Sequence, residues 1–107
     1  MSKMLDINKL REIAKDPDKV LITQHSSIRF RERNIKYDDV ISSIMTGEII
    51  EQYENDFPNP SCLILGMELN KRYIHVVCGT DTEYLWIITA YYPSEDKWQN
   101  DMKTRKV

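Results

Sequence analysis

Apolar and polar positions change period once along the chain, near Gly47. Before it the spacing is helical. From Asp6 to Lys15, Ile7, Leu10, Ile13 and Ala14 recur at helical intervals, Asp6 can cap, and Asp16-Pro17-Asp18 ends the pattern. Val20 to Thr23 is a short β-branched and apolar run that predicts a strand, and Gln24 to about Asn34 then predicts a second helix. Tyr37 to Thr46 predicts a third helix, with Val40, Ile41, Ile44 and Met45 as its stripe and Gly47 as a C′ residue. Beyond Gly47 four runs rich in Ile, Val, Leu, Tyr and Trp follow: Glu48 to Tyr53, Cys62 to Leu69, Tyr73 to Gly79 and Leu85 to Tyr92. Asn55 to Pro60, Asn70-Lys71-Arg72 and Gly79 to Glu83 supply the turns between them.

Helices first and strands after predict an α+β domain, with N-terminal helices packed on an antiparallel four-stranded sheet in meander order. Leu85 to Tyr92 is apolar on both sides and is expected to be central, with Tyr73 to Cys78 beside it. Residues 94–107 read as a polar C-terminal tail or short helix, apolar only at Trp98 and Met102.

The length of 107 residues fits one domain, residues 1–107. No apolar stretch approaches a membrane span, and no export signal is visible at the N-terminus, so a cytoplasmic protein is expected. The two cysteines, Cys62 and Cys78, then read as buried thiols. The 15 basic against 17 acidic side chains argue at first against a nucleic-acid ligand. The charge map changes that picture. Between Thr23 and Lys36 the chain carries Arg29, Arg31, Arg33 and Lys36 against Glu32 alone.

On a helix His25, Arg29 and Arg33 form one stripe roughly 80° wide, while Arg31 points elsewhere. Arg supplies planar donors for phosphate, and His can carry a proton near neutral pH. The alternative is a solvated face paired with Glu32, Asp38 or Asp39. His75 shares a strand face with Tyr73 and Val77, and Thr89 and Tyr91 share one on the last strand. On its own His75 reads more readily as a half-buried histidine with a satisfied hydrogen bond, and Thr89 as readily as a β-former. A zinc set of His25, Cys62, His75 and Cys78 lacks the close ligand pairs of a strong metal motif. Three glycines and no phosphate-loop motif speak against nucleotide cofactors, and Glu48, Glu51 and Glu54 form no paired-carboxylate pattern. No cofactor and no metal are expected.

The stretch Ile22 to Ile35 with its His25, Arg29 and Arg33, the Gly47-Glu48-Ile49-Ile50 start, Ile74-His75-Val76-Val77 and Thr89-Ala90-Tyr91-Tyr92-Pro93 resemble a family of small bacterial domains of unassigned function related to RelE and BrnT toxins. The resemblance covers about Leu21 to Trp98. It implies a RelE-like fold with a curved sheet, and the toxin of a type II toxin–antitoxin pair acting as a metal-independent endoribonuclease on mRNA. It also implies a small antitoxin as partner, zinc-containing in some relatives and with a helix-turn-helix part. Residue by residue, Arg29 and Arg33 would clamp phosphate, His25 or His75 would shuttle the proton, and Thr89 and Tyr91 would complete the sheet side of the site. A non-catalytic protein-binding module on the same fold is the alternative.

Overall fold

A computed structural model describes residues 4–106. Its first helix, α1 (Ile7–Ala14), starts at Asp6, whose carboxylate accepts from the Asn8 amide at 2.9 Å. A 3₁₀ turn at Pro17–Lys19 leads into strand β1 (Val20–Ile22). Thr23 then caps α2 (Gln24–Glu32) through the Ser26 amide at 3.1 Å, and α3 (Tyr37–Thr46) follows. Strands β2 (Glu48–Tyr53), β3 (Ser61–Met67), β4 (Tyr73–Thr80) and β5 (Leu85–Tyr91) complete the regular structure. Among the described residues no helix is long and apolar enough to cross a membrane.

The domain is α+β, but its sheet has five strands and is mixed. The order is β1-β5-β4-β3-β2, with β1 parallel to β5 and every other pair antiparallel. The expectation of four antiparallel strands is thereby corrected. Strands β2 to β5 do form a meander, and β1 adds itself beyond β5. That pairing joins Val20 to Leu85, so a three-residue run finds its partner far along the chain, where local periodicity carries no sign of it. As a result β5 is an interior strand, flanked by β1 and β4.

One sheet face holds the core. Leu10, Phe30, Val40 and Ile44 from the helices meet Cys62, Ile64, Ile74, Val76, Cys78, Leu85 and Ile87 from the strands. Helix α3 lies so close to the sheet that a Cβ on Gly66 would run into the backbone of Ser43. Gly47 ends the helix in an extended conformation (φ −96°), not the left-handed one expected of a C′ glycine. It is needed for space: a Cβ there would stand 2.5 Å from the carbonyl oxygens of Leu65 and Ser43. Arg11 of α1 closes the same corner, donating to Ile44 O at 3.1 Å and Gly47 O at 2.6 Å, the carbonyls that α3 leaves unpaired.

The opposite face is covered by the C-terminal segment. Residues 97–106 double back as a narrow loop, with a bridge between Trp98 and Arg105 and Lys106 N donating to Lys97 O at 3.0 Å. Trp98 is buried by this packing. The segment is neither helical nor a free tail, because Trp98 and Met102 have apolar surface to cover.

The helix-to-sheet contact predicts a sharp steric test. Gly66→Ala should cost about 1–3 kcal/mol of unfolding free energy, since neither backbone can yield without moving α3. Urea denaturation compared with a Ser27→Ala control on the exposed side of α2 checks it.

Candidate functional site

Strand β1 pairs with only the first three residues of β5, matching Ile22 to Ile87. Beyond that point the outer edge of β5 has no strand neighbour, and its carbonyls need other donors. Helix α2 supplies them. The Ser26 hydroxyl donates to Ile88 O at 2.7 Å, and Arg33 donates from one Nη to Ala90 O at 2.9 Å and to Thr89 Oγ1 at 3.2 Å. A β-bulge helps to present these groups: Val77 faces Thr89 but Cys78 faces Ile87, so Ile88 is the extra residue.

Of the stripe expected on α2, Arg33 is therefore seated against β5. Arg33 is half-buried and anchored through one nitrogen; the rest of its guanidinium has no partner among the described residues. Arg29, one turn earlier, is exposed and its side chain makes no hydrogen bond or ion pair among the described residues, and the same holds for His25. The ion pairs present lie elsewhere: Lys15 with Glu12, Arg72 with Glu68, Lys103 with Glu48 and Arg105 with Glu51. None of Glu32, Asp38 and Asp39 neutralises the stripe among the described residues; Asp39 instead accepts from the amides of Lys36 and Leu69. His25 does not cap the helix, a role taken by Thr23, and it lines a cleft with Phe57, Trp86 and Ile88.

His75 sits on the other side of β5, on the face covered by the C-terminal loop. It is fully buried. Nε2 lies 2.6 Å from Met102 O and Nδ1 lies 3.3 Å from the Tyr91 hydroxyl. A carbonyl only accepts, so the neutral ring must carry its proton on Nε2, and Nδ1 then accepts from Tyr91. Burial lowers the pKa of His75, opposed by its bond to Met102 and by the charge of Glu51. Burial raises that of Tyr91, so its phenol stays protonated at neutral pH. Trp98 stands edge-on to the imidazole with ring centroids 4.5 Å apart.

Around this histidine are groups that the sequence did not single out as a set. Arg105 grips Glu51 with two bonds of 2.7 and 2.9 Å, and the Tyr53 hydroxyl donates to the same carboxylate at 2.5 Å. The Arg105 bond is the main reason that Glu51 stays ionised below the usual carboxylate range. Burial and the Glu51 carboxylate push Tyr53 up to about 12. Arg105 also lies over the Trp98 ring, 4.6 Å from its centroid. Trp98 and Met102, apolar in a polar stretch, were the available signal for this cover; nothing in the spacing pointed to Arg105.

The structure thus brings Arg33, Thr89, Tyr91 and His75 into one neighbourhood, through the Arg33–Thr89 and Tyr91–His75 contacts on β5. Arg29 and His25 lie along the outer face of α2. A family model described as a domain of unknown function, DUF4258, matches residues 22–92. The chain belongs to the DUF4258 family. No curated protein and no solved structure matches it. The DUF4258 span begins at the β1–α2 junction and ends just past β5, so it contains the whole α2–β5 seam but neither Trp98 nor Arg105.

His25, Cys62, His75 and Cys78 do not come together within this DUF4258 domain. Cys62 and Cys78 are free thiols in the helix-side core with sulfurs 4.0 Å apart, while His75 faces the other way. The contact with Cys62 and burial together hold the Cys78 thiol well above its ordinary range. Among the described residues no three His, Cys, Asp or Glu side chains are grouped to hold a metal ion.

The His75 environment predicts acid sensitivity. Above the ordinary histidine value of 6.5 the ring is neutral both folded and unfolded. Below it the unfolded chain binds a proton that the folded chain resists, so stability present at neutral pH is lost as pH falls. The melting temperature of wild type should fall from pH 7 to pH 5, and His75→Asn should flatten that slope. Glu51 acts in a separate window below 4.5, where Glu51→Gln should lessen the slope that Glu68, Asp81 and Asp101 also feed.

Proposed function

We propose that this DUF4258 domain binds RNA along the α2–β5 seam and cleaves it as a metal-independent endoribonuclease, the toxin half of a type II toxin–antitoxin pair of the RelE and BrnT kind. The observation that carries the reading is the set of α2 arginines left without a carboxylate partner among the described residues, one of them braced against β5. A braced guanidinium with free N–H groups is suited to a phosphate, because the anion then meets donors already held in place.

In this reading Arg29 and Arg33 hold the scissile phosphate and stabilise the charge that builds on its oxygens. The 2′-oxygen attacks phosphorus as a base takes its proton; the bond to the 5′-oxygen breaks, and that oxygen takes a proton from an acid. His25 is the exposed imidazole on the stripe and is assigned the proton transfer. His75, with both nitrogens engaged, acts as a positioning residue: it accepts the hydrogen bond of the Tyr91 hydroxyl and so leaves the lone pairs of that phenol free. Thr89 holds Arg33 in place. The products are a 2′,3′-cyclic phosphate and a 5′-hydroxyl.

A cognate antitoxin would neutralise the site by laying acidic groups over α2. The protein-binding alternative has its own support in Ile28, Trp86 and Ile88, apolar side chains exposed beside the same seam.

Because Arg33 satisfies a strand carbonyl, Arg33→Ala should lose about 1–2 kcal/mol of stability as well as activity. Arg29 has no such bond and gives the clean test. Arg29→Ala should keep the wild-type melting temperature, lower the slope of RNA affinity against salt by about one phosphate contact, and reduce cleavage at least tenfold. Cleavage that leaves cyclic-phosphate ends and survives a chelator supports the reading. RNA left intact by wild type, with one protein recovered in stoichiometric amount from the native host, favours the binding module.

A further inference from the structure

We propose that the cleft at the N-terminal end of α2 is a subsite for one unpaired nucleobase, stacked on Phe57 and Trp86. Resting on the RNA reading above, it gives that reading a direction: the strand passes from this cleft along α2 to Arg29 and Arg33.

The cleft encloses about 550 Å³ between the β2–β3 loop, β5 and the start of α2, with Thr23, His25, Phe57, Asn59, Trp86 and Ile88 among its lining. Such a volume suits a small planar ligand. Phe57 is 95% exposed, so internal packing does not account for an aromatic ring at this position. The loop carrying it is nevertheless fastened: Asp56 N donates to Tyr53 O at 3.2 Å, and the Asp56 carboxylate accepts from the buried Ser61 hydroxyl. Trp86 is 37% exposed on a strand fixed on both sides, against Leu21 and Gly79. Gly79 has no side chain to cover the indole, and it too lines the cleft.

Two aromatic surfaces on anchored backbone are what base stacking needs, and stacking tolerates any base because every base has a π face. The rim adds polarity. The Asn59 amide can meet a base edge by hydrogen bonds, while His25 stands at the rim between the base and the phosphate. Arg29 follows His25 by one helical turn and Arg33 by two, so cationic groups extend roughly 12 Å along the helix axis from the cleft. An aromatic cleft continuous with an unpaired basic stripe is complementary to a nucleotide, base in the cleft and phosphate on the stripe. A purely apolar protein segment would leave His25 and Asn59 covered without partners.

The test uses the whole chain and a 2′-O-methylated single-stranded oligoribonucleotide, which binds but lacks the attacking hydroxyl. Trp98 is buried and Trp86 is exposed, so quenching of tryptophan emission on binding reports Trp86. Polyphosphate serves as the polyanion without bases. The oligonucleotide should quench emission and polyphosphate should not. Phe57→Ala and Trp86→Leu should each weaken oligonucleotide binding by roughly 10- to 100-fold and leave polyphosphate binding unchanged, whereas Arg29→Ala should weaken both. Phe57 lies on an exposed loop, so its truncation leaves the core intact. Equal oligonucleotide affinity for wild type and Phe57→Ala overturns the subsite while the RNA reading stands. No oligonucleotide binding by wild type overturns both. Emission that responds only to protein concentration, or to an apolar peptide, overturns the subsite in favour of a protein contact.

Discussion

The outer edge of β5 is the constraint around which this domain is arranged. Strand β1 is only three residues long and leaves the carbonyls beyond Ile87 facing outward. An unpaired strand edge invites pairing with another chain, and a half-buried carbonyl without a donor is costly. The chain resolves this by turning at Thr23 into a helix whose side chains, from Ser26 to Arg33, act as a substitute strand. The same turn fixes which face of α2 looks at the sheet. Phe30 must enter the core and Ser26 and Arg33 must reach β5, so Arg29 and His25 are left on the exposed side. The basic stripe is thus a by-product of closing an edge, and Arg33 is held in place for that reason.

The second consequence is a sheet with two unlike faces. The helix side is apolar throughout its centre. The other side carries Glu51, Tyr53, His75 and Tyr91, polar groups that water alone would leave loosely held. The loop of residues 97–106 orders them with one carbonyl, one guanidinium and one indole. Burying an imidazole this way works only because both nitrogens are satisfied and the ring is neutral. The cluster therefore behaves as a polar core that holds Tyr91 in register, next to the seam where Arg33 is bound.

Much of this was legible in the chain. Helices α1 and α3 are marked by their apolar stripes and α2 by the change of propensity after Thr23, Asp6 caps as read, and the antiparallel strands follow their alternation and turns. What was not legible depends on distant contacts. Val20-Leu21-Ile22 reads as a strand, but its parallel partner lies beyond two helices and three strands, so the five-stranded sheet could not be counted. Nothing local marks Ile88 as a bulge, since it continues an apolar run. Gly47 was recognised at the right place for a different reason: crowding against Leu65, and not a left-handed turn, demands glycine there. The stripe of His25, Arg29 and Arg33 was readable from spacing, whereas the bond from Arg33 to Ala90 needed the fold.

Net charge misleads here because it counts groups without asking what holds them. Many of the aspartates are spent on backbone amides: Asp6 at a helix start, Asp16 before the 3₁₀ turn, Asp39 at α3, Asp81 in the β4–β5 turn and Asp101 in the C-terminal loop. For Asp81 and Asp101 those bonds hold the carboxyl below its usual range. Each is partly offset by the dipoles it accepts from, and none reaches α2. Glu48, Glu51 and Glu68 are matched by Lys103, Arg105 and Arg72. Subtracting paired and capping groups leaves the α2 stripe as a local positive field on a chain of formal charge −2. At physiological salt that field is screened over about 8 Å, so the distant aspartates do little to cancel it for a phosphate in direct contact.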